Sequence, residues 1–209
     1  MSMNDKFFSL PEEKQQCIIN AAMEVFACYD YKHASTDLIA SKAGISKGLL
    51  FYYFHNKKEL YLYLYSYIKE MLMKEVVDQK YLEITDFFEL LEYSALKKAK
   101  IMRKNPYILD FSVHTFYSEK EAVSDALADM NFRQQDDLFE QFCGHIDRKK
   151  FKDTAEPHTV FKMLVWMTDG YLHELRMMQK PLDVNALMQE FYRWCSMLKQ
   201  LVYKEEYIL

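Results

Sequence analysis

The 209-residue chain is half apolar and 28% charged, with only four glycines and four prolines, which fits a helix-rich globular protein and leaves little punctuation for many short strands. Net charge is −4, yet residues 31–60 carry Lys32, Lys42, Lys47, Lys57 and Lys58 against Asp37 and Glu59, a small basic footprint in a mildly acidic chain. Cys17, Cys28, Cys143 and Cys195 have neither disulfide-framework nor zinc spacing and read as reduced, mostly buried thiols. No run of about 20 uncharged apolar residues argues for a membrane span, and the N-terminus lacks a signal-peptide pattern, so a cytoplasmic protein without metal or cofactor is expected.

Ser9-Leu10-Pro11-Glu12 predicts a helix start with Ser9 as cap, and Ile18, Ala22, Val25, Phe26 and Tyr29 share one face of a helix over about 10–29. After the break at Asp30 to Ala34, Ser35 or Thr36 caps a short helix whose buried side is Leu38, Ile39, Ala40 and Ala43, and Gly44 ends it. Ser46 caps another short helix through about Phe54. Asn56 and Glu59 then form a capping-box pattern opening a long helix, along which Leu60, Leu64, Tyr67, Ile68, Met71 and Leu72 keep helical spacing to about residue 78. Further helices are expected near 85–103, 106–117, 119–143, 157–179 and 184–204, the last two with long aromatic and methionine-rich faces. The fold expected is all-α, with a domain boundary in the long fourth helix.

Two short helices flanking Ala43-Gly44-Ile45-Ser46 have the layout of a helix-turn-helix: glycine supplies the left-handed backbone and Ile45 fills the gap between the helices. The second helix of such a unit presents its N-terminal residues, here Ser46, Lys47, Gly48 and Leu49, to base edges in the major groove. The string from Thr36 to Leu60, with Ile39-Ala40, Ala43-Gly44-Ile45-Ser46-Lys47-Gly48, Tyr53-Phe54 and Lys57-Lys58-Glu59-Leu60, resembles the TetR/AcrR family of transcription regulators. The resemblance covers about a quarter of the chain, counting the first helix, and departs from the family at Phe51, where a tyrosine hydroxyl is usual.

The resemblance implies a three-helix DNA-binding domain, residues 1–56, joined by a long helix to a helical ligand-binding and dimerisation domain, residues 57–209. It implies phosphate contacts at Thr36 and Lys57, groove contacts at Lys47 and Leu49, an exposed Tyr52, and a Tyr53 that either meets phosphate or packs; Leu50 and Phe54 belong to the core. The partners implied are a palindromic double-stranded operator, a second copy of the chain across the last two helices, and a small apolar or amphipathic ligand, with no membrane. Met102, Phe111, His114, Met163, Met167 and Tyr171 are the candidate pocket residues, and the helix from Asn56 to about Asp78 is expected to be the only rigid element joining pocket to reading head. The function expected is therefore a repressor released by its ligand. No nucleophile motif, phosphate-cradling loop or H-E-x-x-H is present, so an enzyme is not expected. The rival reading is a helical interaction module that has lost operator binding, for which the acidic body and Phe51 speak.

Overall fold

Short polar side chains set where most of the helices begin, by accepting the N–H groups that a first turn leaves without partners. The computed structural model describes residues 4–105, 107–116, 123–127 and 135–208. Its first helices are α1 (Asn4–Phe8), α2 (Glu12–Cys28), α3 (Thr36–Lys42), α4 (Lys47–Tyr53) and α5 (Lys57–Val76). Ser35 Oγ accepts the Leu38 N–H at 3.3 Å to open α3, and Ser46 Oγ accepts the Leu49 N–H at 3.1 Å to open α4. Asn56 Oδ1 accepts the Glu59 N–H at 2.9 Å while its amide donates to Glu59 Oε1 at 3.2 Å, so the expected capping pair forms.

The expected cap at Ser9 does not. Its hydroxyl donates to the Lys6 carbonyl at 2.7 Å and closes α1, a one-turn helix too short for periodicity to reveal. Pro11 occupies the cap position of α2 without a side-chain bond. Tyr29 also leaves its expected apolar face, because extended backbone at the end of α2 turns it outward.

The remaining helices are α6 (Gln79–Glu83), α7 (Phe87–Lys104), α8 (Tyr107–Phe116), α9 (Gln135–Cys143), α10 (Pro157–Met177) and α11 (Val184–Val202). The short α6, capped by Asp78, had no sequence signal beyond that residue. Much of the helix expected over 119–143 lies outside the described residues; α9 is its end.

The chain forms two compact units, Met1–Met71 with Asn105–Arg133, and Leu72–Lys104 with Gln134–Leu209. This grouping differs from a division at 56/57, because the first turns of α5 and all of α8 pack with the N-terminal helices. In the first unit Phe26 of α2 is fully buried, with the Tyr61 ring 4.8 Å and the Phe111 ring 6.3 Å away, and His114 Nδ1 donates to the Phe26 carbonyl at 3.0 Å. Each such buried aromatic contributes roughly 1.5–3 kcal/mol by leaving water, so α8 is a structural wall of this unit.

In the second unit α7 packs along α11, and Phe87, Phe88, Leu164, Leu198 and Tyr203 lie in one apolar core. The chain end is stapled there. Lys152 and Lys204 N–H groups donate to the Val202 and Lys150 carbonyls at 2.8 and 2.9 Å, and the Tyr203 hydroxyl accepts the Phe87 N–H at 3.2 Å. Cys143 and Cys195 are buried, which pushes both thiols up to about 12; Cys17 and Cys28 are exposed, against the expectation of mostly buried thiols. No described helix is long and apolar enough to cross a membrane.

Candidate nucleic-acid interface

The turn between α3 and α4 is built on one backbone angle. Gly44 has φ +65, which lets its own N–H reach the Ser41 carbonyl at 3.1 Å and the Ile45 N–H reach the Ala40 carbonyl at 3.0 Å, capping the end of α3. A Cβ at Gly44 would meet nothing within 4 Å, so conformation rather than space demands glycine. Ile39, Ala40 and Ala43 on one side of the turn, and Leu50, Tyr53 and Phe54 on the other, are buried. Their burial fixes the outward face of α4.

That face carries Lys47, Gly48, Leu49 (37% exposed) and Tyr52 (49% exposed). A Cβ on Gly48 would find only Ser46 Oγ, at 3.9 Å, so nothing inside the chain requires glycine there. Ser46 itself is exposed, its hydroxyl spent on the helix cap. Lys47 Nζ pairs with Asp37 Oδ2 at 2.8 Å, and both side chains remain largely in solvent. Thr36 is the half-buried first residue of α3.

Two of the candidate contact residues have partners within the chain. Tyr53 is only 7% exposed, with its ring 6.0 Å from that of Phe7, so packing is the role its position gives it. Lys57 is half-buried, donates to the Lys32 and Ala34 carbonyls at 3.2 and 3.1 Å, and lies 4.7 Å from the Tyr31 ring centroid. It braces the loop that precedes α3. Lys42 is held by Glu24 at 3.0 Å, a hydrogen bond and opposite charge that raise its ammonium above the ordinary lysine range.

The six candidate pocket residues are divided between the two units. Phe111 and His114 belong to the core of the first unit, where they serve Phe26. Met102, Met163, Met167 and Tyr171 belong to the second: Met167 packs against its core, the Tyr171 ring lies 5.9 Å from that of Trp194, and Met163 is exposed. The chain passes from one unit to the other within α5, after Met71, and again after Lys104. Among the described residues no group of three His, Cys, Asp or Glu side chains is arranged to hold a metal ion.

What the sequence reading missed is Lys6. It lies on α1, with Nζ 4.2 Å from the centroid of the Tyr52 ring on the outward face of α4. The Phe7-Phe8 pair ahead of Pro11 was its only trace in the sequence.

Comparison with known proteins meets this geometry at the same residues. The pattern of the family described as bacterial regulatory proteins, tetR family, matches residues 18–64. The HTH-type transcriptional regulator SrpR of Pseudomonas putida is 43% identical over 49 residues, which is 23% of this chain and 23% of SrpR, so the match spans under a quarter of that relative's length. SmeT of Stenotrophomonas maltophilia, the repressor of the multidrug efflux pump SmeDEF, shares the fold in its triclosan complex with a TM-score of 0.67, at 16% identity over 93% of either chain. FadR of Bacillus subtilis, solved with stearoyl-CoA, does so with a TM-score of 0.62, at 18% identity over 86% of this chain and 96% of its own. These structural likenesses are likenesses of fold, and the all-α expectation is borne out. The sequence pattern of the tetR family of bacterial regulatory proteins thus lies on the helix-turn-helix, within residues 18–64, and the chain shares its fold with SmeT and FadR.

Proposed function

We propose that the protein is a sequence-specific transcription regulator, a homodimer that binds a palindromic operator and represses until a small ligand releases it. The observation that carries this reading is the outward face of α4, where Lys47, Gly48, Leu49 and Tyr52 stand exposed on a helix seated by the Gly44 turn. Lysine donates to guanine O6 or N7, leucine meets a thymine methyl, and a glycine between them lets the helix approach closely. Thr36, the first residue of α3, would offer its hydroxyl and backbone N–H to a phosphate oxygen, and Ser46 stands with Lys47 at the end of α4 that meets the base edges. Residues 1–56 act as the reading head and 57–209 as the sensing and dimerising part.

Dimerisation is supported by apolar side chains left in solvent on α10 and α11: Trp166 at 63%, Leu201 at 62%, and Met197. Exposed apolar area of this kind marks a contact with another protein surface. A duplex also asks for two reading heads about 34–36 Å apart. The ligand class, a small apolar or amphipathic molecule, is supported by the triclosan of SmeT and the stearoyl-CoA of FadR, and by the half-buried Met102, Met167 and Tyr171 as candidate lining. Release would follow if the ligand preferred a spacing of the heads that no operator fits, and linkage would then make operator DNA weaken ligand binding by the same factor.

The test is a mobility-shift titration of the full chain on a duplex from upstream of its own reading frame and on a scrambled duplex. Preference for the first duplex is expected; equal or absent binding would instead favour a helical interaction module that no longer reads DNA.

A further inference from the structure

We infer that Lys6, from outside the helix-turn-helix, is a DNA-backbone contact that α1 holds at the edge of the reading face. This rests on the operator-binding reading above. The helix that carries Lys6 is firmly seated: Phe7 is fully buried, its ring centroid 4.9 Å from that of Phe54 and 5.5 Å from that of Tyr63. Its C-terminal end is tied down by Ser9 on the Lys6 carbonyl and by the Gln15 side-chain amide, which donates to the Phe8 and Leu10 carbonyls at 3.2 and 2.8 Å.

From this base Lys6 reaches the ring of Tyr52, a residue of the proposed recognition helix, at 4.2 Å. Both side chains are exposed. The nature of the partner is the point. Lys42 and Lys47 rest against carboxylates and Lys57 donates to carbonyls, whereas the described partner of Lys6 is a ring. A ring face orients an ammonium without cancelling its charge, so Lys6 keeps its full attraction for a phosphate beside the groove that α4 would enter. Tyr52 has the matching task, since its side chain is exposed and a phenolic hydroxyl can donate to a phosphate oxygen.

The experiment measures affinity of the full chain for the upstream and the scrambled duplex between 50 and 200 mM KCl, for wild type, Lys6→Gln and Lys6→Arg. A phosphate contact releases counterions, so each bound Lys6 contributes about 0.9 to the slope of log affinity against log salt, roughly a 3.5-fold difference across this range. Lys6→Gln is expected to flatten the slope by that amount on both duplexes, Lys6→Arg to restore it, and neither to alter the melting temperature. Wild-type binding with an unaltered slope in Lys6→Gln overturns the assignment and leaves operator binding standing. Absence of salt-dependent binding by wild type overturns both.

Discussion

Lys47 Nζ lies 2.8 Å from Asp37 Oδ2, so the first residue of α4 is tied to the first turn of α3 across the turn that joins them. Both partners are well exposed, and exposed pairs hold little free energy; Lys47 can leave Asp37 for a base edge at small cost. Lys47→Ala is expected to weaken the cognate duplex by about 1–3 kcal/mol and a scrambled duplex much less. Asp37→Asn, which removes a negative charge from the face, should tighten both several-fold with little change in the urea midpoint. Equal weakening of both duplexes by Lys47→Ala would remove it from base reading.

Lys57 gives a different expectation from the one its family position suggests. Its ammonium donates to two loop carbonyls, and a hydrogen bond to a charged group contributes about 1.5–3 kcal/mol. Lys57→Met should therefore lower stability by about 1–3 kcal/mol in the absence of any DNA, read by urea unfolding. Unaltered stability together with a shallower salt slope would return it to a phosphate-binding role.

The two left-handed residues of the described chain predict opposite substitutions. Gly44 at φ +65 and Gln179 at φ 53 each follow a helix end, where a side chain costs roughly 1–2 kcal/mol against glycine. Gly44→Ala should lower stability by about that much. Gln179→Gly should raise it by up to about 1 kcal/mol, with the gain trimmed by the freer unfolded chain. Thermal unfolding of the two variants checks the pair.

Acid should loosen the second unit through Asp86. Burial alone would push its carboxyl up, but the Lys150 ammonium at 2.9 Å and the Glu89 N–H at 3.0 Å more than offset this and hold it below the usual carboxylate range. A carboxyl depressed in the folded state stabilises fully above its unfolded value of about 3.9 and loses that contribution as pH falls through the folded value. Wild type should lose stability below about pH 4 more steeply than Asp86→Asn, which should already be weaker at pH 7. Parallel acid limbs in urea titrations would dismiss the linkage.

For the proposed dimer, Leu201→Glu or Trp166→Glu is expected to give folded monomers with much reduced operator affinity. Phe191 and Trp194 are poorer probes, because both pack against the chain's own core. Sedimentation of an unchanged dimer would place the interface elsewhere.

Caps and turns were legible in the sequence because they are local. Ser35, Ser46 and the Asn56–Glu59 pair act within three residues, and Gly44 answers to its own backbone angle. What could not be read was which distant group each side chain meets. Lys57 finds carbonyls 25 and 23 residues back, and His114 finds one 88 residues back. Naming Phe111 as a pocket candidate could not show that the rings of Phe26 and Tyr61 lie against it. A single turn such as α1 has no period to detect.

The packing of α8 on α2 bears on how the chain could be cut and rejoined. Phe26 is covered by Tyr61 and Phe111, both beyond residue 56, and its carbonyl is satisfied by His114. A chimera grafting residues 1–56 onto another regulator's body would leave that ring without its native cover and invite aggregation. A functional swap would have to carry α8 as well, although the 33 residues Leu72–Lys104 of the other unit lie between them in the chain.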